Sequence, residues 1–472
     1  MAESEMDDLG PQRKRRVWLW IVVPLLLIAV GAVAYVAWVR NSLQSLYAET
    51  DRLDPGWTLA ELEARRAQYP PDQNGAVQII RVKGLMKPTT QPQPQDWALL
   101  SDLDPPKRLN EEQVAALERM LDHSREATLA ARSMIDFPRG RHAVTWSPDS
   151  ISTLLKCQVN REILNLLRMD ALDCAQRGDA DQALRSVHAM YHCGSSIGDE
   201  PMMISQLARL SCQIYALVTL ERVLAQGEPG EPALAAFQQR LEEDEPAPIL
   251  LIGCRGERAG QRQLLEFVRD GGTLPGTTVT AAGGTVNTGL MNLPLKFPGV
   301  LESQTTACLR FMNEVIEGAK LPPEQWTAQF AALRQRSANL PILARLLVPS
   351  VDKFSQSVLR SHALQRCAIV ALAAERFRKQ SNRWPSSPDE MVALGLLRAV
   401  AIDPYDGRPI RLKRSDTGLI VYCVGPDERD DGGYLDRNHP TKSGSDLGWQ
   451  LWDVSQRRQP PPPPKPHNDP TP

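Results

Sequence analysis

From residue 17 to residue 39 the chain reads Val-Trp-Leu-Trp-Ile-Val-Val-Pro-Leu-Leu-Leu-Ile-Ala-Val-Gly-Ala-Val-Ala-Tyr-Val-Ala-Trp-Val, without one charged side chain. A helix over that run is about 34 Å long, enough for a hydrocarbon core of about 30 Å with some tilt. Trp18, Trp20, Tyr35 and Trp38 fall toward its ends, where amphipathic rings favour the headgroup level. The apolar part of a signal peptide is only about 7–15 residues long, and a soluble helix normally keeps a polar face. The pattern therefore predicts a single transmembrane anchor over 17–39. Arg13, Lys14, Arg15 and Arg16 precede the span, whereas only Arg40 follows closely, with Glu49 and Asp51 beyond. Basic residues stay cytoplasmic, so residues 1–16 are expected inside and everything after the anchor outside. The next apolar run, 367–374, lies between Arg366 and Glu375 and is too short to span.

Residues 40–107 read as a linker with short helices. Asp54-Pro55-Gly56-Trp57 is a turn, Thr58 with Glu61 forms a capping box, and Asn74-Gly75 precedes an apolar segment over 76–86. Pro88, Pro92, Pro94, Pro105 and Pro106 then predict a loop. From 108 to 270 the period is helical throughout. Asn110 caps a helix to about residue 134, with Val114, Leu117, Leu121, Thr128 and Ala131 on one stripe. Ser147-Pro148 opens the next, and further helices are expected over 182–193, 201–225, 231–243 and 249–269. Short loops between long helices predict antiparallel hairpins. One of them, with Gly178-Asp179 followed by Ala183-Leu184, resembles a tetratricopeptide unit, without a 34-residue period around it. Residues 271–300, rich in Gly and Thr, predict a long loop with short β segments. Further helices follow over 301–350, a long one over 352–380, and the proline-rich stretch 459–472 reads as a disordered tail.

Charge changes the picture by exclusion. With 54 basic and 56 acidic residues and a pI near 6.4, the chain lacks the basic footprint of a nucleic-acid binder. The eight cysteines, at 157, 174, 193, 212, 254, 308, 367 and 423, mostly sit in apolar helical stretches, which predicts buried thiols and no disulfide framework.

Candidate chemistry is sparse. His188 and His192 lie one helical turn apart, followed by Cys193, a spacing that suits a transition metal. Ala189 stands where a zinc protease has its Glu, and Asp199 and Glu200 are the available third ligands, so two structural histidines are the favoured reading. Arg255, Glu257, Arg258 and Arg262, near Gly253, Gly256 and Gly260, suit an anion site or, better, an ion-pair network. Residues 242–245, Glu-Glu-Asp-Glu, read as a solvated helix end.

The end of the chain carries the most specific pattern. Ala373-Ala374-Glu375-Arg376-Phe377-Arg378 is followed by Arg383-Trp384-Pro385, then by Ser387, Pro388 and Glu390 at a helix start. Asp403-Pro404-Tyr405-Asp406-Gly407-Arg408-Pro409 leads into an alternating hairpin, 410–413 with 419–424, closing on Gly425-Pro426-Asp427. Gly432-Gly433 and Asp446-Leu447-Gly448-Trp449 complete the series. In this order the blocks resemble the globular head of the bacterial type II secretion major pseudopilin. The resemblance implies a small α+β module over 351–458 and a calcium site in the loop after the hairpin, at Asp427 and Asp446, with Asp430 and Asp431 as weaker ligands. The anchor lacks the family's leader, and about three hundred residues separate anchor from head, so pilus packing does not carry over.

The expected fold is mainly α: a transmembrane helix, an extracytoplasmic helical-hairpin array and a pseudopilin-like module. The expected function is a non-catalytic binding or scaffolding protein of the bacterial cytoplasmic membrane, meeting a protein partner through its helices and no nucleic acid. An accessory role in a secretion or pilus-like apparatus, and a metal-dependent hydrolase using His188 and His192, are the alternatives.

Overall fold

The computed structural model describes residues 11–86, 94–122, 124–143, 152–274, 278–281, 284–287, 289–290, 293–348 and 350–461. The Ser147-Pro148 helix start and most of the proline-rich tail lie outside these residues. The structure is mainly helical, with one helix long and apolar enough to cross a membrane and a small three-stranded sheet. Two compact units divide it: Met1–Thr58, Arg258–Glu314 and Gln335–Pro349 form the first, Leu59–Glu257, Val315–Arg334 and Ser350–Pro472 the second.

In the first unit, α1 runs unbroken from Pro11 to Leu53. The expected linker after residue 39 is therefore helix as far as Leu53. Val39, Leu43, Leu46 and Thr50 recur at helical spacing and are all buried, so an amphipathic stripe carries the helix on once the all-apolar run has ended. A Gly/Thr hairpin, β1 (Thr278–Ala281) paired antiparallel with β2 (Gly284–Asn287), breaks the helices. The parts of α11 (Ile249–Arg269) and α12 (Val300–Ala319) in this unit, with α14 (Ile342–Leu347), pack Leu265, Leu274, Leu295, Leu301, Cys308 and Leu343 into one core. Beside Leu46 and Leu309, Trp57 donates its indole N–H to Asp51 over 2.6 Å. The predicted charge network forms here in part: Arg258 bonds Asp54 and reaches Asn313 Oδ1 at 2.9 Å, and Arg262 bonds Glu266 at 2.8 Å. The guanidinium carbons of Arg258 and Arg262 stand 5.1 and 4.4 Å from the Trp57 ring centroid, a cation–π clamp.

The second unit opens with α2 (Leu59–Arg65), α3 (Gly75–Leu85) and α4 (Pro94–Leu99). Asn110 caps as expected: its amide oxygen accepts from Gln113 N–H at 2.9 Å, while the Gln113 side chain accepts from Asn110 N–H at 3.1 Å. The expected single helix to 134 is in fact three pieces, α5 (Glu111–Asp122), α6 (Arg125–Arg132) and a 3-10 turn over Ser133–Asp136. The periodic stripe survives the break because both helices bury the same side, which is why periodicity alone missed it.

Three consecutive helices, α7 (Ser152–Arg177), α8 (Ala180–Ser195) and α9 (Met203–Gln226), pack on one another and form the centre. The Gly178-Asp179 turn joins α7 to α8, with Asp179 accepting from Gln182 N–H at 3.0 Å. Every residue of α8 from Ser186 to Ser195 is buried, as befits a helix enclosed on all sides. Around this centre stand α10 (Glu231–Asp244), the 31-residue α15 (Val351–Ser381), α13 (Trp326–Ser337) as far as Arg334, and α16 (Pro388–Ala393).

The sheet has the order β3 (Arg411–Ser415), β4 (Gly418–Cys423), β5 (Leu447–Trp452), all antiparallel. The hairpin is where the alternation put it; the third strand came from the Leu-Gly-Trp block. α15 packs on β4 and β5, with Trp449 donating to the Leu364 carbonyl at 3.0 Å. The Cys367 and Cys423 thiols meet there, buried, 3.4 Å apart. Asp403 pins the Asp-Pro-Tyr loop: its buried carboxylate accepts from Tyr405 N, Val424 N and Arg411 at 2.8–3.0 Å. Ser387 makes no side-chain cap; Glu390 alone reaches back, to Ser386 N–H at 3.1 Å.

Candidate functional site

A groove of about 880 Å³ lies between α5, α6 and α7 in the second unit. Its floor is fixed by a bidentate pair in which Arg132 Nε and Nη2 donate to Asp170 at 2.8 and 2.7 Å. Ser186 supplies Asp170 with a further hydrogen bond at 2.6 Å from α8. A buried carboxylate so satisfied is rigid. Burial, reinforced by Asp170 and Glu118 against the pull of Arg177, raises the pKa of Asp173 along the same wall. Glu118, Arg119, Asp122, Arg125 and Arg177 give the rim both signs of charge, and Leu129 stands 59% exposed among them. Asp170, Asp173 and Arg177 fall on one face of α7, and Arg125 and Arg132 on one face of α6. That spacing was visible in the sequence, but only the docking of α6 on α7 shows that the two faces meet.

His188 and His192 come together on α8 with ring centroids 4.6 Å apart, His188 also lying 4.9 Å from the Phe237 ring. His192 Nδ1 donates to the Met134 carbonyl at 3.0 Å, which fixes its tautomer. His188 edges a cavity of about 360 Å³ with Asp181, Leu184 and Arg185. The expected third ligands are engaged elsewhere: Asp199 accepts from Arg66 and from Ala67 N–H, both at 3.2 Å, and Glu200 from Ser205 at 2.7 Å. The Cys193 thiol is buried and its pKa is pushed up by that burial.

Burial, with His192 and Arg240 adding to it, brings the His188 pKa down to about 3; burial and Arg240 bring His192 down to about 4. Both rings are neutral in the fold and protonate near 6.5 once it opens. The unfolded chain therefore binds more protons below pH 6.5, so their contribution is whole above that pH and is lost as pH falls toward 4. Each histidine adds a slope of up to about 1.4 kcal/mol per pH unit in that window. Chemical unfolding of the full chain at pH 4.5, 5.5 and 6.5 checks this. Replacing both with Gln is expected to flatten the dependence by at least about 1 kcal/mol per pH unit; an unchanged slope refutes the buried-neutral pair.

The acidic stretch 242–245 is not the solvated helix end that its composition suggests. Asp244 is gripped by Arg209 at 3.1 Å, Arg240 at 2.9 Å, Gln213 at 2.8 Å and the Tyr191 hydroxyl at 3.0 Å. Burial alone would raise its pKa, but the two guanidinium groups hold it below the ordinary value. Glu245 pairs with Arg366 at 2.7 Å and lies 3.6 Å from His362 Nδ1; His362 and then Arg366 draw its pKa down to about 2. Four acids in a row say nothing about which basic residues two other helices will bring to them.

The carboxylates expected at a calcium site do not gather into one ligand set. Asp427 accepts from Gly444 N–H at 2.9 Å and Ser443 Oγ at 3.0 Å, which ties the two ends of the loop together. Asp446, buried, accepts from Gly433 N–H at 2.7 Å and Asp431 N–H at 3.2 Å, and burial followed by the charges of Asp430 and Asp431 pushes its pKa up to about 6. Asp430 is taken by Arg411 at 2.9 Å and Tyr422 at 3.1 Å, and Asp431 is exposed. Among the described residues no group of three or more His, Cys, Asp and Glu side chains is placed to hold a metal. Comparison of the chain with protein families, with curated proteins and with solved structures found no match.

Proposed function

We propose that this chain is a single-pass scaffold of the bacterial cytoplasmic membrane, N-terminus inside and body outside, which holds a segment of a protein partner in the groove between α5, α6 and α7. The observation that carries the reading is the groove itself: an open channel on a fixed floor, with charges of both signs along its rim and an apolar contact at Leu129. Paired helices offer extended surfaces of this kind to polypeptide ligands. In the first unit α1 runs without a break from the apolar span into a buried stripe, which joins the span to folded chain. The reading needs neither calcium nor a catalytic metal.

The test places a photo-cross-linking amino acid at Leu129, and at the exposed Ile80 of α3 as reference, in the full chain in native membranes. A discrete adduct at 129, absent at 80 and lost with Arg125→Glu, supports the groove. Equal labelling at both positions, or none at 129, refutes it. A second reading, an accessory component of a secretion or pilus-like apparatus, is favoured by the layout of the C-terminal module. That module has its own cleft of about 640 Å³ beside Arg383, Trp384 and Val454. An adduct at Val454 in place of 129 supports that alternative.

A further inference from the structure

Residues 289–290 and 293–299 of the first unit present large apolar side chains to the outside. Leu290, Leu293 and Phe297 are 74%, 70% and 63% exposed, while Leu295 between them turns inward and joins the unit's core. Pro294 opens a 3-10 turn, Pro294–Lys296, and Pro298 follows it, so the chain is held in this outward-facing form at low entropic cost. Lys296 is exposed beside Phe297. Fully burying such side chains is worth about 1.5–3 kcal/mol each, so a cluster of three exposed ones calls for a surface to cover it.

Where the cluster sits identifies that surface. The described side chains from Trp20 to Tyr35 in α1 are all exposed, whereas Val39 is 3% exposed and begins the covered stripe. The body thus closes around the helix just after the apolar span ends. Gly299, at φ +81°, lies against Tyr35 and Val36: a Cβ built there would stand 3.3 Å from the Tyr35 ring and 3.4 Å from Val36. The left-handed backbone and the close approach both favour Gly at this point. One turn on, Arg40 pairs with Glu302 at 3.1 Å. Gly299, at the end of the segment, therefore meets α1 at Tyr35, whose ring pairs with that of Trp38 at 6.4 Å between centroids, and aromatic rings of this kind mark a membrane interface.

We propose that Leu290 and residues 293–299 form a membrane-docking element. Leu290, Leu293 and Phe297 enter the acyl–headgroup boundary of the leaflet from which α1 emerges, and Lys296 meets lipid phosphate. Such an element sinks about 5–10 Å and adds interfacial anchoring to the span. It holds the first unit in one orientation to the bilayer, which a lone helix, free to rotate about its axis, does not. This rests on α1 being a membrane span, though not on which side the body lies.

The experiment uses the full chain in phosphatidylcholine–phosphatidylglycerol nanodiscs. An environment-sensitive fluorescent amino acid is encoded singly at Leu293, at Phe297, at Ile28 within the span, or at Leu53. Leu53 lies about 21 Å further along α1 than Val39. Lipids carrying a nitroxide high on the acyl chain are the quencher. Quenching at 293 and 297 is expected within about twofold of that at 28 and at least about fivefold above that at 53. Quenching at 28 but not at 293 or 297 overturns the docking element and leaves the anchor standing. Blue-shifted, unquenched emission at 297 means a protein surface covers the cluster, and overturns it equally. Loss of quenching at 28 removes the anchor and the inference together.

Discussion

Replacing Glu375 with Ala in the full chain is expected to lower the unfolding free energy by about 3–5 kcal/mol. Glu375 lies within the Ala-x-x-x-Phe-Arg motif of α15, and its side chain is buried to the same degree as its partner Arg457. Arg457 Nη2 donates to it at 2.6 Å, while Arg378 Nε and Nη2 donate at 3.1 Å. Arg457 also reaches the Trp452 carbonyl at 2.8 and 2.9 Å and the Gly227 carbonyl at 2.7 Å. One guanidinium therefore joins α15, the end of β5 and the turn after α9. Without the carboxylate that guanidinium keeps only neutral acceptors, and an uncompensated buried charge is far costlier than the pair is valuable. The double variant Glu375→Leu with Arg457→Met removes both charges and is expected to lose less than Glu375→Ala alone. Urea unfolding followed by tryptophan fluorescence measures all three proteins. A loss below about 1 kcal/mol in the single variant places the pair among surface ion pairs and refutes the assignment.

The next largest effect is expected from a single methyl group. A Cβ built at Gly256 of α11 would stand 1.1 Å from the Pro201 carbonyl oxygen and 2.1 Å from its carbon. Both atoms are backbone, so no side chain can rotate away, and the helix itself must move off the segment that opens α9. Overpacking of this kind costs about 1–3 kcal/mol where side chains absorb it, and Gly256→Ala is expected at or beyond the upper end. Gly84→Ala in α3 is the contrasting variant. Nothing lies within 4 Å of its added Cβ, and relief of glycine's helix penalty is expected to stabilise by about 0.5–1 kcal/mol. Thermal unfolding of the two variants beside the parent should move the midpoint in opposite directions. An unshifted midpoint for Gly256→Ala would show that the backbones do not approach so closely.

These two sites show what a linear reading reaches. Gly256 stood out in the sequence only as one of three glycines near a charge cluster, and Glu375 only as part of a motif. The motif placed Glu375 on a helix, but nothing local pairs it with a residue 82 positions away. Likewise His188 and His192 were legible as neighbours, because i and i+4 share a helix face. That the His188 ring lies beside Phe237 required α10 to be packed on α8. The groove was the least legible feature, since its walls come from three helices whose separate charge patterns resemble ordinary solvated faces.

By itself the sequence determined the apolar span, the bounds of α11, the Asn110 cap, the α7–α8 turn and the β3–β4 hairpin. Each of these depends on residues within a few positions of one another: continuous hydrophobicity, a capping side chain, or alternation with period two. Only the tertiary structure decided that α1 continues to Leu53, that the stretch 110–136 is broken, that Asp244 is gripped by two arginines, and that Gly299 lies against Tyr35. Those outcomes depend on burial and on partners distant in the chain, because the free energy of burying a charge or exposing an apolar side chain is set by what the fold brings against it.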